Sequence, residues 1–203
     1  MKTNYILVPF SFVFHPIFVS IYGSLLYFIF SGNTTPTINL YITFLQIVIL
    51  TVVLPLCFYL LLRILNVVSS FTEATIEERK IPIFIQLFLM YVVIKYAAVH
   101  QNYPELYHFF VGGFISSFIV LLSVMLRFKA SLHMIGITSL CMFTILFTSY
   151  LQINAIYTIV CLLLCVGFVA SSRLYMKAHT PIELIAGMLI GIVPQYLVWI
   201  FKI

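Results

Sequence analysis

NLYITFLQIVILTVVLPLCFYLLLRILNVV, residues 39–68, carries a single charged side chain, Arg63. A bilayer hydrocarbon core about 30 Å thick is crossed by roughly 20 apolar residues in a helix, so this stretch crosses with length to spare. Working outward, comparable runs lie at 5–30, 82–100, 107–127, 132–150, 154–171 and 182–201, separated by short polar breaks. The reading is an all-α, polytopic transmembrane bundle of six to seven helices, counted here as seven crossings, in one domain over residues 1–203. His15-Pro16 in the first run and Pro55 in the second predict kinks, because proline removes a backbone donor and clashes with the preceding turn.

Composition agrees. The 203 residues are 64% hydrophobic and 7% charged, where a soluble domain carries about a quarter charged residues. Transmembrane strands would alternate polar and apolar over about ten residues, and soluble helices would keep a charged face; neither pattern occurs. The first run is longer than a signal-peptide core and reads as a retained helix. Cys57, Cys141, Cys161 and Cys165 lie inside apolar runs without metal or disulfide spacing, and read as small core residues. On the last helix, Gly187 and Gly191 form a small-xxx-small pair for close packing. Tyr196 and Trp199 suit an interfacial aromatic belt.

Ten Lys/Arg face five Glu, with no Asp, for a net charge of +5. The basic residues sit mostly in loops, which suits phosphate head groups or the positive-inside bias; a continuous basic face for nucleic acid is absent. Counting crossings puts the loops at 69–81, 127–131 and 172–181 on one side of the membrane. They collect Arg79, Lys80, Arg127, Lys129, Arg173 and Lys177, whereas the loops at 31–38, 101–106 and 151–153 hold no Lys or Arg. The positive-inside rule accounts for that asymmetry without chemistry. The histidines add to it: His133 and His179 sit beside these basic loops, at the first turn of apolar helices, where ionisable groups in membranes are usually functional. His15, His100 and His108 lie elsewhere and read as interfacial or packing residues.

The densest pattern is Ser172-Arg173, then His179 after five residues, then Glu183 after three more. The four-residue step from His179 to Glu183 puts both side chains on one helix face. The carboxylate can then fix the imidazole tautomer and free the other ring nitrogen as a nucleophile. Arg173 offers a planar donor fork for phosphate oxygens. Thr180-Pro181-Ile182-Glu183 is also a capping box with Pro at the first helical position; capping explains Glu183 but leaves Arg173 and His179 unexplained. Lys129-Ala130-Ser131-Leu132-His133 supplies a second imidazole on the same side, with Ser131 and Lys129 as candidate phosphate ligands. Glu77-Glu78-Arg79-Lys80-Ile81-Pro82 places two cations just before a helix start, and Thr75 with Glu78 reads equally as a capping box.

These segments resemble the type-2 phosphatidic acid phosphatase superfamily, whose motifs are Lys-x6-Arg-Pro, Pro-Ser-Gly-His and Ser-Arg-x5-His-x3-Asp. Ser172, Arg173 and His179 align with the third motif, and Glu183 replaces its Asp. Ser131 and His133 align with the second, with Ala130 and Leu132 in place of Pro and Gly. Arg79 or Lys80 near Pro82 stands for the Arg of the first, whose Lys is absent: counting back reaches Thr72 or Glu73. The segments 129–136 and 178–191, and His15-Pro16, are similar to small bacterial members.

The resemblance implies a phosphatase acting on a lipid phosphate or diphosphate through a phosphohistidine, without metal or other cofactor. His179 would be the nucleophile, Glu183 its orienting carboxylate and His133 the general acid. Arg173, Arg79 or Lys80, Lys129, Ser131 and Ser172 would bind phosphate. The implied partners are the lipid substrate and membrane lipids, and the implied location is a bacterial inner membrane with the site facing the periplasm. A second reading is a non-catalytic relative that binds lipid head groups or membrane partners. A third, a small transporter, lacks the paired broken helices of inverted repeats.

Overall fold

The computed structural model describes residues 7–32, 38–69, 75–97 and 99–202. Thr72 and Glu73, and the side chain of His100, fall outside them. Proline and small polar residues set most helix starts. Helix α1 (Val8–Val13) has Pro9 in its first turn and ends at Phe14. The chain then extends at His15 (φ −64°, ψ 137°), makes a 3-10 turn at Pro16–Phe18 and enters α2 (Val19–Phe30). The first apolar run is therefore broken rather than bent. His15 caps the new start, its Nδ1 accepting from the Ile17 N–H at 3.3 Å, and Pro16 has no N–H to lose.

Helix α3 (Ile38–Val48) passes through a π turn at Ile49–Val53 into α4 (Leu54–Ile64). Pro55 explains the widened turn. Its ring would collide with the carbonyl four residues back, and here the Leu54 N–H instead reaches the carbonyl of Ile49, five residues away. A 3-10 turn at Glu77–Arg79 leads into α5 (Lys80–Tyr96), followed by α6 (Val99–Asn102), α7 (Pro104–Met125), α8 (Leu132–Tyr150), α9 (Ile156–Tyr175) and α10 (Pro181–Phe201).

Five segments among the described residues are long and apolar enough to cross a membrane: Ile38–Ile64, Pro104–Met125, Leu132–Tyr150, Ile156–Tyr175 and Pro181–Phe201. The chain is an all-α integral membrane protein. The other two expected crossings correspond to shorter elements, the apolar Pro16–Phe30 and the 17-residue α5.

Helix α8 is the hub. Two-thirds of its apolar span (67%) is buried, against 11% for Ile38–Ile64, and it packs on α10, α9, α2 and α7. The closest approach is to α10. A Cβ at Gly187 would stand 2.7 Å from the Ser131 carbonyl oxygen, and one at Gly191 2.6 Å from that of Ile135, so the two backbones touch where only glycine fits. Thr138 and Ser139 donate hydroxyls to Met134 and to the Gly191 carbonyl of α10. Among the cysteines only Cys141 is core; Cys57 and Cys161 face outward, as small apolar groups can when the surroundings are lipid.

The helix ends sort as crossing parity requires. At one end Lys129 Nζ donates to the Ala178 carbonyl at 3.2 Å and the Ser131 N–H donates to the Glu183 carbonyl at 3.2 Å, joining the loops before α8 and α10. At the other, the Tyr27 hydroxyl donates to Glu105 at 3.0 Å, and the rings of His108, Phe143 and Tyr150 surround Trp199.

Candidate functional site

The end of α9 builds the first half of the site. After Met176 the chain takes a left-handed residue, Lys177 (φ 52°), and the Ala178 N–H bonds back to the Arg173 carbonyl at 3.1 Å. This C-cap turn reverses the chain, so His179 folds over Arg173. Thr180 then caps α10. Its hydroxyl accepts from the Glu183 N–H at 3.4 Å, and its own N–H donates to Glu183 Oε2 at 3.0 Å. The same carboxylate oxygen accepts from His179 Nδ1 at 3.0 Å. Capping and orienting the imidazole are one arrangement, not alternatives.

A His179 ring that donates from Nδ1 keeps its lone pair on Nε2. The residue is 7% exposed. Burial pushes its pKa below the usual histidine value; the bond to Glu183 opposes that, and the charges of Arg173, Lys129 and Arg79 add to it. The imidazole is thereby neutral and nucleophilic around pH 7.

Cations surround it. Arg173 is 7% exposed; among the described residues its Nε has no hydrogen-bond acceptor, and its side-chain contact of this kind is a long Nη1 to Met176 Sδ approach at 4.0 Å. Arg79 is near enough for the two guanidinium charges to repel, and it is attracted by Glu183. Lys129 is pushed towards its neutral form by burial and by Arg79, and drawn back by Glu183. Arg79 and Lys129 both feel the Glu183 carboxylate, while Arg173 is opposed by the charge of Arg79. Glu78, which lines the cavity, turns its carboxylate to the exposed Thr75 and Ser69 N–H groups. A buried excess of positive charge with an unused donor is what an anion site looks like without its anion.

Arg79, Arg173, His179 and His133 line one end of a cavity of about 330 Å³ that runs inward between the helices to Phe109 and Gln195. The remaining expected site residues stand around it differently. Lys80 pairs with Glu77 on the surface, which leaves Arg79 as the cation of that loop on the cavity. Ser131, fully buried, caps α8 by accepting from the Met134 N–H at 3.5 Å. Ser172, also fully buried, bonds Ser11 Oγ at 2.7 Å. Lys129 gives one of its three donors to the Ala178 carbonyl. These last three make their bonds to the protein and do not line the cavity.

The broken first helix supplies what sequence reasoning missed. Ser11 lies against Ser172, and its carbonyl accepts from His133 Nε2 at 3.1 Å. His15 lines the same cavity, with its ring edge-on to that of His133 at 5.2 Å between centroids. Its sequence signals are the adjoining Pro16 and the resemblance of the His15-Pro16 segment, neither of which assigns the side chain a role. Among the described residues no group of three His, Cys, Asp or Glu converges as metal ligands do. No family model, no curated protein and no solved structure matches this chain.

Proposed function

We propose that this chain is a membrane-embedded phosphatase that hydrolyses a lipid phosphate or diphosphate through a phosphohistidine, in the manner of the superfamily its motifs resemble. One observation carries the reading: a buried Arg173 guanidinium with an unused Nε donor lies beside an imidazole fixed by Glu183 with its Nε2 lone pair free. In the first step His179 Nε2 attacks phosphorus. The bond from phosphorus to the leaving oxygen breaks, and that oxygen takes a proton from Nδ1 of His133, which takes up that proton once the bound phosphate offsets the charge of Arg173 and keeps its Nε2–H on the Ser11 carbonyl. Water then attacks the phosphohistidine, returns a proton to His133 and releases inorganic phosphate. Arg173 and Arg79 balance the charge on the phosphoryl oxygens in flight. The lipid chain stays in the hydrophobic part of the protein and bilayer, and the site belongs on the periplasmic face of a bacterial inner membrane.

The test is phosphate release by the purified protein in mild detergent with chelator, from a panel of lipid monophosphates and diphosphates. Release that disappears in both His179→Ala and His133→Ala supports the proposal. Release by neither the wild type nor the variants overturns it.

Binding of lipid head groups without turnover has one observation of its own. Ser131 and Ser172 spend their hydroxyls on the protein, which reduces the phosphate ligands to the cations. Lipid phosphate retained on the protein through purification, with no phosphate released, is its signature.

A further inference from the structure

We infer that His15 is a further catalytic residue, a neutral hydrogen-bond donor to the oxygens of the reacting phosphoryl group. The inference rests on the phosphatase reading and assigns a role to a residue that reading does not use.

The argument starts from the backbone. His15 Nδ1 accepts the Ile17 N–H at 3.3 Å where the chain restarts as helix after Phe14. A ring nitrogen that accepts has no proton, so the proton of the neutral ring is on Nε2. Protonating Nδ1 would break the cap and put a second positive charge near Arg173, whose charge His15 already feels. Among the described residues Nε2 has no hydrogen-bond partner, and His15 lines the cavity together with His133, Arg173 and His179. His15 is thus a locked donor facing the place where the anion would sit.

His133 has the opposite arrangement. Its Nε2 is tied to the Ser11 carbonyl at 3.1 Å. With Nε2–H held on that carbonyl, Nδ1 is the nitrogen left to gain and lose a proton. The edge-on contact at 5.2 Å holds the two imidazoles side by side. One shuttles a proton and the other holds one. A preorganised donor of the second kind helps only as charge develops on oxygen, and its removal typically costs about 10²–10³-fold in turnover.

Two variants separate this role from a structural one. His15→Asn keeps a side-chain oxygen able to accept the Ile17 N–H, because Asn is a good cap, but carries no Nε2 donor. His15→Ala loses both. The assay is phosphate release from a lipid monophosphate and from p-nitrophenyl phosphate, across pH, with thermal unfolding measured alongside. The expected result for His15→Asn is near wild-type unfolding, a fall in kcat of about 10²-fold on both substrates, and a pH profile with both limbs unmoved. His133→Ala should instead spare p-nitrophenyl phosphate, whose leaving group needs no acid, relative to the lipid.

A His15→Asn variant with unchanged kcat overturns the inference. So does one that loses the alkaline limb and spares p-nitrophenyl phosphate, since that would make His15 the acid. A wild type that releases phosphate from neither substrate overturns the phosphatase reading itself, and the inference with it.

Discussion

Replacing Glu183 separates its two jobs. One oxygen, Oε2, accepts from His179 Nδ1 and from the Thr180 N–H, each at 3.0 Å. Glu183→Gln keeps an acceptor of the same reach, and Gln serves a capping box as Glu does; the loss is the charge assistance on one bond, about 1 kcal/mol. Glu183→Ala removes the cap acceptor, about 1 kcal/mol. It also strands the Nδ1–H of a ring whose side chain is 2% exposed, for about 1–3 kcal/mol more. The expected total for Ala is about 2–4 kcal/mol. Ala also deprives Arg79 and Lys129 of the carboxylate both of them feel, so inorganic phosphate should restore more stability to Glu183→Ala than it adds to the wild type. Thermal unfolding in detergent, followed by the single tryptophan, Trp199, reads all three proteins with and without phosphate. Equal destabilisation by Gln and Ala, or equal phosphate stabilisation of wild type and Ala, would refute the reasoning.

Three further outcomes are expected. Because folding lowers the pKa of His179 below its ordinary value near 6.5, the unfolded chain binds more protons as acid is added, so this residue's share of stability is full above pH 6.5 and is lost below it; the slope of unfolding free energy against pH between 6.5 and 5 should flatten in His179→Gln. Gly191→Ala should destabilise by about 1–3 kcal/mol or prevent folding, since its Cβ would lie 2.2 Å from Thr138 Oγ1 and 2.6 Å from the Ile135 carbonyl oxygen; a fully stable variant would show that α8 and α10 can separate at little cost. Lys177→Gly should stabilise by about 1 kcal/mol by relieving the left-handed residue at the end of α9 (φ 52°), with phosphate release unchanged; a lower unfolding temperature would contradict it.

The helices were legible because hydropathy reports which solvent a segment chooses. The Thr180 cap fixed the start of α10 to within a residue, and crossing parity grouped the loops that the Lys129 and Ser131 bonds now join. Parity gives the side of the membrane but not the rotation of each helix about its axis. Lipid-facing and core-facing residues are both apolar here, so no polar face marks the rotation. For that reason the sequence left Arg79 and Lys80 open as alternatives, and Ser131 and Ser172 read as ligands although both point into protein. His15 was missed for another reason. His15-Pro16 signals a kink in this run but not its direction, and the placing of His15 against α8 goes with long-range contacts, Ser11 on Ser172 and His133 on the Ser11 carbonyl, that leave no local mark.

The segment Ile38–Ile64 has 27 residues, about 40 Å of helix, against a hydrocarbon core of about 30 Å. Such an element must lean, and the lean changes with membrane thickness. Its π turn sits near the middle, next to Pro55, so its two halves can lean by different amounts. The second half contributes Leu56, Tyr59 and Leu62 to the cavity wall, and α4 has no buried residue to clamp it. Bilayer thickness is therefore a mechanical input to the cavity: a thicker membrane draws that wall upright and a thinner one lays it over. Cross-linking yields between α4 and α5 in vesicles of short-chain and long-chain phosphatidylcholine should differ, and identical yields would mean that the wall is held by protein alone.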